Sequence, residues 1–326
     1  MNSTSNSSLG NTFISKTLKE KSLTVQVLVG ILLYVNGLMI FTFLKKETFR
    51  DTRYILFAQT LFVDSALMLF ADLTLVGSAY ELFIHIISCY IFCTVMALLS
   101  ICSPVTLVAM CLERYVAICL PLRHASISSP KNTINGLLII WGVSSVIPLF
   151  IFIVSFTYTP PNAMNSYVVC SNDVMFQVKW LAEMRALSQQ LLFVIMLCIV
   201  GSTYIKIMVA AKSASAENKK STYKGLRTVI LHGLQLILGM MQLITPYIDI
   251  LTLKVDIMLF INVKFSNFML FWIFPRCLSP LVYGLRDKKF YNALKYYAFC
   301  GIYVYKKHKI KDSKTIGGAL SISIHN

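Results

Sequence analysis

Glu113 and Arg114 stand side by side where a long apolar run beginning near Leu82 gives out. A carboxylate and a guanidinium in that position hold each other until something else attracts the arginine, which is the chemistry of a switch. Two more ionisable residues, Asp64 and Arg276, sit inside apolar runs, where charge is so costly that it counts as functional by default. Lys224, Thr228 and His232 recur every four residues and so share one helical face. Of these, His232 is the one able to change charge near neutrality. A Gly-rich phosphate loop and a His-Glu-x-x-His helix are both missing, and the five histidines share no face. The chain is therefore read as a non-enzyme, with no metal and no cofactor.

The elements that must position these residues are membrane helices. Hydrophobic residues make up 56% of the 326 and charged residues only 13%, outside the range of soluble domains. A spanning helix needs roughly 20 apolar residues. Seven runs reach that length: Leu23–Leu44, Tyr54–Ala79, Leu82–Leu112, Ile134–Thr157, Ala186–Ala211, Leu226–Leu253 and Val255–Leu285. The last two nearly touch, parted by the polar positions around Lys254 and Asp256. Asp64 and Arg276 each lie about ten residues, or roughly 15 Å of helix, from one end of their runs, at matching depth. Internal repeats of the kind transporters show are not evident.

Lys and Arg concentrate in alternate connections and in the C-terminal tail, with 22 of the 30 on that side and 7 on the other. By the positive-inside rule the N-terminus is outside and the C-terminus inside. The net charge of +16 thus points to anionic inner-leaflet lipids and a cytosolic partner, not to nucleic acid. Residues 1–22 read as an extracellular N-terminus with glycosylation sequons at Asn2 and Asn6, and no cleavable signal peptide is apparent. Residues 23–285 form the membrane domain. Residues 286–300 follow as an amphipathic helix carrying Phe290, Leu294 and Tyr297 at helical spacing. A basic cytoplasmic tail, 301–326, ends the chain, and Cys300 is a candidate palmitoylation site.

Several of these motifs resemble those of the rhodopsin-like G-protein-coupled receptors. Glu113-Arg114-Tyr115 looks like their Glu/Asp-Arg-Tyr signature, and the continuation Pro121-Leu122-Arg123-His124 is similar to that of odorant receptors, particularly those of fish. Ser279-Pro280-Leu281-Val282-Tyr283 looks like Asn-Pro-x-x-Tyr with serine in place of asparagine. The stretch Lys224–His232 resembles the odorant-receptor pattern Lys-Ala-x-x-Thr-Cys-x-x-His, from which Gly225 and Val229 depart. The tryptophan typical of the sixth helix in amine and peptide receptors is absent, as odorant receptors lead one to expect.

The resemblance implies an all-α membrane protein, a seven-transmembrane helix bundle with a short amphipathic eighth helix, in the plasma membrane. It implies a small-molecule odorant and a stimulatory heterotrimeric G protein as partners, with cyclic AMP as output. Arg114 would leave Glu113 and meet Tyr204, which matches the tyrosine that receives the freed arginine. Cys89 near the outer end of the third run and Cys170 in the long outer loop match the family's disulfide, with Cys93 one turn deeper as competing partner. The further loop cysteines frequent in odorant receptors are lacking. Asp64 and Ser103 match ligands of the family's sodium ion, and Arg276 is expected to replace the ion by pairing with Asp64. Its alternatives are backbone carbonyls or snorkelling. Asn36 and Trp141 match fixed polar and aromatic packing positions. Met96, Ser100, Gln189, Gln190, Phe193, Tyr247 and Phe268 are candidates for the ligand pocket. Asp249, Lys254, Asp256 and Lys264 at outer helix ends are expected to face solvent. A receptor for an internal peptide or lipid, and a channel or transporter, are the alternatives weighed.

Overall fold

The structure, a computed structural model, describes residues 2–45, 51–175, 179–213, 216–241, 244–278, 280 and 294. Helices dominate it: α1 (Asn2–Lys45), α2 (Thr52–Ala79), α3 (Ile86–Cys119), α4 (Pro121–Ile127), α5 (Pro130–Tyr158), α6 (Pro161–Met164), α7 (Lys179–Ser213), α8 (Ala216–Met241), α9 (Thr245–Leu253) and α10 (Ile257–Asn267). Among the described residues, six stretches are long and apolar enough to cross a membrane, and Leu226–Met241 is a shorter apolar helix. The sixth run of the sequence is divided between α8 and α9, with 242 and 243 outside the described residues.

Local chemistry sets several boundaries. His85 caps α3 by accepting from the Ile87 N–H, Ser129 caps α5 by accepting from the Asn132 N–H, and Pro130 opens α5 where an N–H would be orphaned. Asp256 caps α10 by accepting from the Leu259 N–H at 2.9 Å. Two expected boundaries move. Leu82–His85 does not belong to the third helix, because Phe83–His85 is a strand paired antiparallel with Tyr167–Val169 in the register Phe83↔Val169. The all-α expectation therefore gains one small two-stranded sheet. The first helix runs from Asn2 instead of beginning at residue 23, although the first 22 residues are polar. The side chains of Asn2 and Asn6, the segment 286–300 apart from 294, Cys300 and the tail lie outside the described residues.

Packing centres on α3, which touches α2, α5, α7 and α8. The main core gathers Phe57, Leu61, Leu67, Cys102, Met110, Cys111, Ile207 and Leu236 from these helices. Large apolar side chains on the perimeter point away from it, such as Leu138, Ile139, Ile153, Leu191 and Ile205. That inversion suits a bundle whose surface is solvated by lipid tails. Buried hydroxyls close on their own helices: Thr60 on Leu56, Thr94 on Tyr90, Thr106 on Cys102, Ser144 on Ile140 and Thr203 on Ile199 carbonyls. In hydrocarbon each has no water to turn to, so the i−4 carbonyl is the nearest acceptor.

One end of the bundle is covered by the α5–α7 connection. Cys89 and Cys170 join across 81 residues with Cα atoms 5.5 Å apart, tying that connection to α3. Tyr90 and Thr159 share a buried hydrogen bond at 2.8 Å beside it. Replacing Cys170 with serine is expected to cost about 2–4 kcal/mol and lower the thermal midpoint of the purified protein. An unchanged midpoint would show that the connection is held without the bridge.

Candidate functional site

The polar groups of the apolar interior converge on α2, α3, α8 and the segment after α10. Asp64 is 2% exposed and accepts from Ser103 Oγ at 2.6 Å. Arg276 Nε lies 4.0 Å from Asp64 Oδ1, Arg276 Nη1 donates to the Trp272 carbonyl, and the guanidinium sits over the Trp272 ring at 4.8 Å. The pair expected from the sequence and the carbonyl contact that competed with it are thus both present. The backbone reaches this geometry through a π-helical turn at Phe268–Ile273, in which the Phe274 N–H reaches back five residues to the Met269 carbonyl. Pro275 follows at once, and a wide turn relieves the crowding a proline ring causes in a regular helix.

Gln235 extends the cluster. Its Nε2 donates to the Pro275 carbonyl at 3.0 Å while its Oε1 lies 3.1 Å from His232 Nδ1. Both side chains are almost wholly buried, so α8 and the α10 extension are latched together by one amide. A cavity opens between them, lined among others by Asp64, Ser100, Ser103, Phe193, Gln235 and Arg276. Asn36 joins α1 to α2 by donating to Ser65 Oγ at 3.0 Å, and Trp141 packs partly buried against the main core.

Near the far end of α3, Arg114 Nε lies 3.5 Å from Glu113 Oε2, with side chains 15% and 7% exposed. Helix α3 continues to Cys119, so this pair is inside the helix rather than at its end. Glu113 also faces His124 of α4, whose Nε2 is 3.6 Å from Oε1. One carboxylate therefore holds two cation-capable groups. Tyr115 has the Lys206 ammonium 5.3 Å above its ring, Tyr204 packs partly buried against the main core, and Thr228 is fully buried. The Lys224 side chain, Ser279 and Tyr283 lie outside the described residues, whereas Pro280 is described and buried.

The proposed ligand-pocket residues do not gather into one cavity. Ser100 and Phe193 line the cavity beside Asp64, and Met96 is buried. Phe268 instead stacks on Trp272, Gln189 is half-buried, and Gln190 and Tyr247 are exposed. The helical period alone does not say which face of a lipid-surrounded helix looks inward when both faces are apolar. Among the outer charges, Asp256 serves as a cap and Asp249 accepts from Asn267 Nδ2 at 3.3 Å, while Lys264 covers the Phe260 ring. Lys254 is exposed.

The family model for the 7 transmembrane receptor (rhodopsin family) matches residues 35–283. Odorant receptor 131-2 of Danio rerio is 98% identical over 325 residues, covering 100% of both chains. The chain belongs to the odorant receptors of the rhodopsin family. Human olfactory receptors are more distant: 4K14 is 27% identical over 59% of this chain and 60% of its own length, and 4K13 is 26% identical over 64% and 67%. The receptor is a multi-pass membrane protein and not an enzyme.

Sequence reasoning missed Gln235, His124 and Ser65 in this receptor. A glutamine in an apolar run was the available signal for the first, since a buried amide must find partners. His124 belonged to a recognised motif but its contact with Glu113, like that of Ser65 with Asn36, gave no signal, because both meetings are tertiary. Breaking the buried pair from one side should be costly. Asp64→Asn and Arg276→Ala are each expected to lower stability by about 3 kcal/mol, and the double variant by clearly less than the sum. Strict additivity in thermal unfolding of the four proteins would remove the coupling.

Proposed function

We propose that this odorant receptor binds a small organic ligand at the disulfide-bridged end of the bundle and activates a stimulatory heterotrimeric G protein at the other, raising cyclic AMP. The bridged end faces outward and the basic connections face the cytosol, at the plasma membrane. What carries the reading is the Arg114 guanidinium, held at 3.5 Å by Glu113 and half enclosed on the central helix of a chain from this family. An arginine so placed is available to a partner only when its carboxylate lets go.

Ligand binding acts by shifting population between two packings of the bundle. In the resting packing Glu113 holds Arg114 and faces His124, while Gln235 latches α8 to the Pro275 carbonyl. In the active packing α8 swings outward, Arg114 turns to Tyr204, and the C-terminal helix of a G-protein α subunit enters. Thr228 and His232, buried on the α8 face toward the bundle, are the residues whose surroundings change most. The lysines and arginines of the connections attract anionic lipid and the docking surface of the G protein.

The test is cyclic AMP in cells expressing the receptor, challenged with water-soluble and volatile odorants, beside radioligand binding to the same membranes. Arg114→Ala should abolish the cyclic AMP response while ligand binding persists. Full signalling by Arg114→Ala at normal surface expression would refute the switch role.

A further inference from the structure

The polar cavity between α2, α3, α8 and the segment after α10 is about 40 Å³, room for a water-sized guest. We propose that Arg276 is a built-in counter-ion that closes this cavity to diffusible cations, so that the receptor does not respond to sodium. Removing its charge opens a monovalent-cation site on Asp64, Ser103 and Ser100.

The oxygen atoms at the cavity are those a hard cation prefers. Asp64 brings a buried carboxylate, and Ser103 and Ser100 add hydroxyls three residues apart on one face of α3. Both hydroxyl protons are already engaged. Ser103 Oγ donates to Asp64 Oδ1 at 2.6 Å, and Ser100 Oγ donates to the Ala97 carbonyl at 2.9 Å. A hydroxyl oxygen that donates still has lone pairs for a cation. Gln235 contributes less, because its Nε2 donates to the Pro275 carbonyl and its Oε1 faces His232. The remaining walls, such as Leu107 and Phe193, carry no charge. With these oxygens alone the cavity would be a carboxylate site in want of a positive ion.

Charge, not volume, excludes the ion. Asp64 and Arg276 are the charged side chains lining the cavity, and their charges cancel. Arg276 Nε stands 4.0 Å from Asp64 Oδ1. A cation on that carboxylate has the guanidinium as a near neighbour of like sign. At roughly 4 Å and an effective dielectric of about 20, that repulsion weakens binding about a thousandfold. The arginine is also held in place. It donates to the Trp272 carbonyl and lies 4.8 Å over the Trp272 ring, and Gln235 ties the segment that bears it to α8. The sodium ion of rhodopsin-like receptors, whose ligand positions Asp64 and Ser103 match, therefore does not fit beside this guanidinium.

The closing experiment follows thermal unfolding of the purified full-length receptor in nanodiscs of zwitterionic lipid. Sodium chloride is exchanged for choline chloride at constant ionic strength. The native midpoint should stay where it is. Arg276→Gln keeps a donor for the Trp272 carbonyl, and Arg276→Ala widens the cavity. Both variants should unfold earlier than the native receptor in choline and regain part of the loss in sodium. The gain should saturate with concentration, as binding to one site requires. Sodium should bind Arg276→Gln about a thousandfold more tightly than the native receptor. Arg276→Lys, which keeps the charge, should be indifferent to the exchange. Adding Asp64→Asn to Arg276→Gln should abolish the sodium effect. A native midpoint that rises with sodium, and no longer does so in Asp64→Asn, would overturn the proposal. So would Arg276→Gln and Arg276→Ala variants that ignore sodium, whether they fold or not, because the opened site is expected to stabilise them.

Discussion

Hydrocarbon offers a polar group no partner, and the interior of this receptor is arranged around that fact. Asp64 is the clearest case. A carboxylate 2% exposed between α2 and α3 survives there because Ser103 donates to it and Arg276 stands 4.0 Å away. Arg276 in turn donates to the Trp272 carbonyl and lies over the Trp272 ring. The two groups beside Asp64 come from different parts of the chain and hold α2 against α3 and against the segment after α10. The same shortage of water drives the threonine and serine hydroxyls onto their own helices and the Asn36 amide onto Ser65.

Helix α3 is the element through which these local solutions become one structure. From one end to the other it carries the disulfide sulfur of Cys89, the cavity wall at Cys93, Thr94 and Ala97, the hydroxyl of Ser103 on Asp64, and the Glu113–Arg114 pair. Pro104 lies within it, directly after Ser103, where the missing N–H weakens the helix at the level of the polar cluster. One helix thus runs past the covered end, the polar cluster and the Glu113–Arg114 pair. Nothing so continuous links the two ends through α1, which packs mainly on α2.

The sequence made the helices legible where length and apolar content were decisive, and the ends where a capping residue stood out, as with Asp256 and Ser129. It did not show that Phe83–His85 leaves the third run as a strand. That choice is made by pairing with Tyr167–Val169, more than eighty residues away. Intramembrane charges were legible because charge in an apolar run is conspicuous. Contacts such as Glu113 with His124 were not, since a histidine in a short loop helix carries no mark of what it faces. The candidate ligand-pocket residues are spread over different surroundings for a related reason: on a helix apolar all round, side chains facing lipid and side chains facing the interior are chemically alike. Tyr247 and Gln190 turn outward accordingly.

A cation tethered to the chain beside Asp64 behaves differently from one that diffuses. An ion in equilibrium with the medium occupies its site according to its concentration, so the state it favours follows the salt outside. A guanidinium on the chain is present at every site, whatever the medium, and cannot leave. Its hold on Asp64 can be changed only by moving the segment that bears it, and that segment is connected through the Pro275 carbonyl to Gln235 and so to His232 on α8. In the proposed activation, release of Asp64 and movement of α8 are consequently one event rather than two. A π turn just before Pro275 gives the segment the slack to move, because its wide turn can tighten to an ordinary one without any covalent bond or chain crossing being disturbed. In the proposed activation, the cost of separating the buried pair opposes that movement.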